Sequence, residues 1–77
     1  MARAFIRICI NPGFEKKLRD YLRTLPEIAS ADITAGEQDC IALVKGKSFE
    51  EILSFVVGKV RPREGIKITW TNFILED

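Results

Sequence analysis

Histidine is missing altogether from this sequence of 77 residues. Its side chain is the usual acid–base group near neutral pH and the commonest metal ligand in proteins. The serines Ser30, Ser48 and Ser54 have no candidate base to activate them. The sequence therefore predicts neither an enzyme nor a protein with a bound metal or cofactor.

Cysteine is almost as scarce, because the chain has only Cys9 and Cys40. Two cysteines are too few for a disulfide framework or a thiolate metal site. Each lies inside an apolar run, which predicts reduced, buried thiols. A crosslink between neighbouring strands in an oxidising environment is the alternative.

The chain also lacks a surplus of charge of either sign, with 12 Lys and Arg residues against 11 Asp and Glu residues. Nucleic-acid-binding domains usually carry a strong basic surplus. A sheet that binds single-stranded RNA would need a basic, aromatic-rich central strand, whereas residues 40–44 are mostly aliphatic and include no basic or aromatic side chain. We therefore expect no direct binding of DNA or RNA.

Long apolar segments are missing too. No run approaches the roughly 18 apolar residues of a membrane span, and the start of the chain shows no signal-peptide pattern. We expect a cytoplasmic protein without membrane contact. The chain starts with Met1 and finishes in a polar tail, and we expect it to be a whole gene product.

What the sequence does contain is 47% hydrophobic residues against 30% charged residues, which is typical of one packed domain over 1–77. Apolar residues alternate with polar ones in four segments, which predicts strands, and recur every three or four residues in two further segments, which predicts helices. Ser48 and Glu51 form a capping box at the start of the second helix. The predicted elements are strand 4–10, helix 14–25, strand 28–34, strand 40–45, helix 49–60 and strand 66–75.

This order, βαββαβ, predicts an α+β protein of the ferredoxin-like type, a sandwich of two helices on a four-stranded antiparallel sheet. Counting along the last strand places Trp70 beneath the helices. The opposite face of the sheet is then too apolar to remain in water, so a second copy is expected to dock sheet to sheet as a two-fold dimer. The residues predicted on this opposite face of the sheet are Phe5, Arg7, Cys9, Thr69, Thr71, Phe73 and Leu75.

Residues 34–39 connect the second and third strands and contain two carboxylates and an amide close to one glycine. Gly36 can adopt a positive φ or allow close approach of a ligand. Glu37 and Asp39 supply acceptors, and Gln38 supplies a donor and an acceptor. The segment is either a solvated hairpin tip or a site for a small polar ligand that carries an ammonium group.

Thr69 and Thr71 form a second candidate feature on the last strand. Their side chains should point to one face, roughly 7 Å apart. The pair either lines a polar pocket with two hydroxyls or reflects the strand preference of threonine.

Five short motifs occur in an order that resembles a known family. They are Pro12-Gly13, Pro26-Glu27-Ile28, Thr34-x-Gly36-x-x-Asp39, Glu50-Glu51 and Gly65-Ile66-x-x-Thr69-x-Thr71-x-x-Ile74-Leu75. Together they resemble the effector-binding domain (RAM domain, for regulation of amino acid metabolism) of the leucine-responsive regulatory protein/AsnC family of transcription regulators.

The resemblance implies a βαββαβ fold whose dimer forms an α+β barrel, with dimers assembling into larger rings, often octamers. It implies that amino acids or related small molecules bind where dimers meet. Backbone around Gly36 would hold the ligand carboxylate, and Asp39 the ammonium group. Thr69 and Thr71 would come from a nearby subunit. Glu37 and Gln38 stand where family members vary, so they would tune ligand choice.

The chain departs from full-length family members because it has no room for their helix-turn-helix domain. The resemblance thus implies a stand-alone effector module linked to transcription or amino acid metabolism, without DNA binding of its own. Two alternatives stay open. One is a structural partner that only co-assembles with full-length relatives, and the other is a small enzyme of the dimeric α+β barrel type.

Overall fold

The protein is described by a computed structural model over residues 1–36 and 39–76. The predicted order of strands and helices is confirmed, with end points that differ by one or two residues. The elements are β1 (Ala2–Ile10), α1 (Glu15–Arg23), β2 (Ile28–Ile33), β3 (Cys40–Gly46), α2 (Phe49–Phe55), a π-helical turn (Val56–Val60) and β4 (Ile66–Phe73).

The four strands form one sheet in the order β2-β3-β1-β4, and every neighbouring pair is antiparallel. The central pair is β1 and β3, in which Ile6 lies opposite Ala42 and Ile8 opposite Cys40. Strand β4 lies at one edge of the sheet. The ferredoxin-like α+β architecture is confirmed.

Both helices cover the same side of the sheet, which we call the helix side. Alternate residues of β1 and β3 point to it, as the period of two along a strand requires. Helix α1 contributes Leu18 and Leu22 to this core, and α2 contributes Ile52 and Phe55. The strand residues buried there are Ala4, Ile6, Ile8, Ile10, Ile28, Ala31, Cys40, Ala42 and Val44.

Helix α2 begins at the predicted capping box. The Ser48 hydroxyl accepts a hydrogen bond from the Glu51 backbone N–H at 3.1 Å, while a carboxylate oxygen of Glu51 accepts from the Lys47 N–H at 3.4 Å. After Phe55 the helix widens, and the Arg61 N–H donates to the Val56 carbonyl at 2.8 Å. The predicted extent to Val60 is therefore confirmed, although its last turn is π-helical.

The side-chain directions predicted for β4 are wrong after Ile66. Cys9 of β1 pairs with Ile68 of β4, but the next residue, Ile10, pairs with Ile66, so that one residue of β4 is skipped. Lys67 is therefore the extra residue of a β-bulge, and a one-residue slip exchanges the two faces of a strand.

As a result, three β4 side chains expected on the open face lie on the helix side. Thr69, Thr71 and Phe73 are opposite Ile8, Ile6 and Ala4, all of which face the helices. Phe73 packs against the core, with its ring centroid 4.4 Å from that of Phe49. Leu75 is also outside the predicted face, because β4 ends at Phe73 and Leu75 follows it, 87% exposed.

Trp70, predicted beneath the helices, lies instead on the side of the sheet that the helices leave uncovered, here called the open face. It is opposite Arg7, whose guanidinium lies 5.2 Å from the indole centroid. The Arg7 Nε also donates to the Asn72 side chain at 3.1 Å. The open face includes Phe5, Arg7, Cys9, Ile41, Leu43, Ile68, Trp70 and Asn72. It is apolar, as predicted, but with different residues from β4.

Neither cysteine forms a disulfide. Cys40 faces the helix side and is fully buried, whereas Cys9 alternates with Ile8 and is half-buried on the open face. The two thiols therefore point to opposite sides of the sheet, which argues against a crosslink within the chain. Burial raises the pKa of the Cys40 thiol, so it stays protonated and unreactive near neutral pH.

Neither helix in the described part of the chain has the length and apolar character needed to cross a membrane.

Candidate functional site

The loop between β2 and β3 is closed by backbone hydrogen bonds at its base. The Thr34 N–H donates to the Asp39 carbonyl at 2.9 Å, and the Asp39 N–H donates to the Ile8 carbonyl at 2.9 Å. Gly36 has a φ of +133°, a conformation that other residues rarely adopt. A Cβ placed on Gly36 would have no heavy atom within 4 Å. Glycine is therefore required there for its conformation, and the space around it is open.

Asp39 directly precedes β3 and joins the start of that strand to β1 through its side chain as well as its backbone. Its Oδ2 accepts a hydrogen bond from the Ile10 N–H at 2.7 Å, in a half-buried setting. Ile10 stands next to the bulge, where regular strand pairing is interrupted. A carboxylate has two oxygens, and within the described residues Oδ1 accepts no hydrogen bond, so it can serve as the acceptor for another donor.

Two of the predicted ligand residues, Glu37 and Gln38, lie outside the described residues. Their proposed role in ligand choice therefore stays a prediction.

Thr69 and Thr71 lie on the helix side of β4, opposite Ile8 and Ile6, and both are half-buried. The two hydroxyls do point to one face, as the sequence predicted. Within residues 1–36 and 39–76 neither hydroxyl makes a side-chain hydrogen bond. They are available to a ligand or a neighbouring molecule.

The structure does not bring the two halves of the predicted site together within one chain. Asp39 borders β1 at Ile8 from one side, and Thr69 pairs with Ile8 from the other. Their backbones are thus two strand spacings apart, about 10 Å. Within the described residues, no hydrogen bond joins the Asp39 and Thr69 side chains.

A groove that the sequence did not indicate lies beside Thr69. It has a volume of about 360 Å³ and is lined by Arg61, Ile66, Lys67, Ile68 and Thr69. The spacing in the sequence could not have shown it, because the bulge at Lys67 and the π-helical turn before Arg61 decide which side chains meet there.

Metal binding finds no support in the described ranges, since no group of three or more Cys, Asp or Glu side chains is placed to hold an ion there.

Comparison with known proteins identifies the fold. Residues 3–77 match the family model described as the Lrp/AsnC ligand binding domain. None of the curated proteins compared with the chain matches it.

Two solved structures resemble the whole chain. The Thermus thermophilus protein TTHA0845 has a TM-score of 0.94 and 27% identity, covering 100% of this chain and 96% of its own. The hypothetical protein PHS023 of Pyrococcus horikoshii has a TM-score of 0.92 and 27% identity, covering 100% of this chain and 93% of its own.

A longer protein contains the same fold as one part. The structure of the transcriptional regulator NMB0573 of Neisseria meningitidis in complex with L-Met has a TM-score of 0.84 and 24% identity. The match covers 99% of this chain and 51% of the regulator. With the family model spanning residues 3–77, the chain belongs to the Lrp/AsnC ligand binding domain family.

Proposed function

We propose that this protein is an amino-acid-binding and oligomerisation module in which the loop from Gly36 to Asp39 holds the ligand. The observation that carries the proposal is the geometry of Gly36 and Asp39. Gly36 has a positive φ and open space in front of its backbone. Asp39 is held by Ile10 through one carboxylate oxygen, with the other oxygen remaining as an acceptor.

This geometry suits the two charged ends of an amino acid. Exposed backbone around Gly36 accommodates the ligand carboxylate, because the missing side chain allows close approach. The ionised carboxylate of Asp39 accepts a charge-assisted hydrogen bond from the ligand ammonium group. Glu37 and Gln38 are proposed to tune which side chain is accepted.

A second subunit is proposed to complete the site. Within the described residues the Thr69 and Thr71 hydroxyls make no hydrogen bond, and Thr69 lies two strand spacings from Asp39 of the same chain. Dimers formed through the open face, and assembled further into rings such as octamers, bring the threonines of one subunit to the loop of another. This arrangement accounts for both halves of the site.

Relatives support a regulatory role. The Neisseria meningitidis structure is that of a transcriptional regulator in complex with L-Met. We propose that this domain acts as a non-catalytic ligand-binding module in the cytoplasm. It would influence transcription or amino acid metabolism by co-assembly with full-length relatives.

One observation favours a second candidate, a structural partner that assembles with relatives but binds no ligand. The 2.7 Å bond from the Ile10 N–H gives the Asp39 carboxylate a structural task that needs no ligand. Under this alternative the loop only connects β2 and β3, and the protein takes part in a mixed assembly through its surfaces without binding a ligand.

Calorimetric titration of the assembled protein with each of the twenty amino acids tests the proposal. Asp39→Asn is the decisive variant, because asparagine keeps an oxygen for the Ile10 N–H but loses the charge that faces an ammonium group. A charge-assisted hydrogen bond contributes about 1.5–3 kcal/mol, so affinity should fall by roughly tenfold or more. Asp20→Asn, on the exposed surface of α1, should bind as the original protein does.

Absence of heat with every amino acid at millimolar concentration would contradict ligand binding. Light scattering on a mixture with a full-length relative then decides between the two candidates. A mixed assembly without amino acid binding would establish the structural partner.

A further inference from the structure

The groove beside Thr69 has features of a binding site that the proposed function does not use. Its volume of about 360 Å³ is in the range of small-ligand sites. Arg61, Lys67 and Thr69 are among the residues that line it, and each has a side chain that can donate a hydrogen bond. Among the described residues, none that lines it has a carboxylate.

The first cation is placed by an irregularity in β4. Lys67 is the extra residue of the bulge between Ile66 and Ile68. A bulge re-aims a side chain and is common beside functional sites. Because β4 is the edge strand, one side of its backbone has no strand neighbour within the described chain. The bulge thus places a lysine on an accessible rim.

The second cation is placed by an irregularity in the helix. The π-helical turn Val56–Val60 ends at Arg61, whose N–H closes the wide turn on the Val56 carbonyl at 2.8 Å. Such turns are rare and are found frequently at functional sites. Two independent departures from regular geometry therefore bring positive charge to the same groove.

Both charges are available to a ligand. Of the ion pairs within the described residues, none involves Arg61 or Lys67. Arginine and lysine without a carboxylate partner, next to a hydroxyl, favour a bound anion, and a carboxylate fits the fork of a guanidinium.

We infer that the Arg61–Lys67 groove receives an acidic side chain, so that the protein prefers amino acids with a second carboxylate, aspartate and glutamate, over their amides. The inference rests on the proposed function, in which Thr69 touches the ligand. A ligand whose ammonium group meets Asp39 of one subunit then extends its side-chain carboxylate past Thr69 of another into the groove.

Calorimetric titration with matched pairs tests this preference: L-glutamate against L-glutamine, and L-aspartate against L-asparagine. The acid of at least one pair should bind about tenfold more tightly than its amide, since one charge-assisted contact separates them. Arg61→Gln and Lys67→Gln should each lower the affinity for the acid more than the affinity for its amide, so that the preference falls. Lys47→Gln, at the opposite end of the sheet, is the matched control. Glutarate, which lacks the ammonium group, is titrated as a separate probe.

The outcomes separate this inference from the proposed function. Equal affinity for acid and amide in both pairs, or an acid preference that survives both groove variants, overturns the inference and leaves the proposed function intact. Binding of glutarate alone, lost in Arg61→Gln, overturns amino acid binding but supports an anion groove. Absence of binding by every probe overturns both.

Discussion

Gly13 and Gly65 show how glycines with the same positive φ can be under different constraints. Both have a φ of +94°. A Cβ on Gly13 would meet nothing within 4 Å, whereas a Cβ on Gly65 would lie 2.5 Å from the ring of Phe14. Gly65 also accepts a hydrogen bond from the Asn11 N–H at 2.7 Å. This contact joins the end of β1 to the start of β4, beside the proposed groove.

Alanine at these two positions separates backbone strain from a steric clash. Gly13→Ala should cost about 1–2 kcal/mol, the price of a left-handed residue with a Cβ. Gly65→Ala should cost a further 1–3 kcal/mol or so, because Phe14 must also move. Urea unfolding of both variants measures the difference. Equal losses would show that Phe14 yields freely and that the close approach is not a constraint.

Helix α2 depends on the cap that the sequence predicted. It has seven residues before the π-helical turn, so its first turn is a large part of it. The Ser48 hydroxyl satisfies the Glu51 N–H, one of the donors that a helix leaves unpaired at its start.

Removing this hydroxyl gives a test with a serine control in the same helix. Ser48→Ala should reduce the free energy of unfolding by about 1 kcal/mol, the usual contribution of a serine cap. Ser54→Ala, exposed within the helix, should have no effect or stabilise slightly, since alanine has the better helix propensity. Thermal or urea unfolding checks both, and an equal loss from the two substitutions would contradict the cap's role.

The order of the elements could be predicted because each boundary has a local chemical signal, such as Pro26 after α1 or Ser48 before α2. The faces of β4 could not, because they depend on the bulge at Lys67, which is set by pairing with β1 and leaves no mark in the sequence. The loop at Gly36 could be predicted as a candidate site because its polar residues are adjacent in the sequence, whereas the groove of Arg61 and Lys67 depends on the bulge and on the π-helical turn.

On the scale of the whole molecule, the open face is an apolar surface that a single chain leaves exposed to water. Phe5, Ile68 and Trp70 are 44%, 46% and 41% exposed there. A 77-residue domain has a small core, so burying this face against a second copy would add stability that one chain lacks. Arg7, held by Trp70 and Asn72, is already ordered for such a contact.

Phe5→Glu and Leu53→Glu form a matched pair for testing this assembly, because Phe5 and Leu53 are each 44% exposed but belong to opposite layers. Phe5 lies on the open face and Leu53 on α2. A two-fold contact through the open face would remove the introduced carboxylate from water in both subunits, at a cost of several kcal/mol for each charge. Light scattering should therefore give the mass of one chain for Phe5→Glu and a multiple of two chains for both Leu53→Glu and the original protein.

A single-chain mass for the original protein would contradict the dimer. Loss of assembly in Leu53→Glu alone would place the interface on the helices, and the proposed pairing of Asp39 with the threonines of another subunit would then need a different arrangement of dimers.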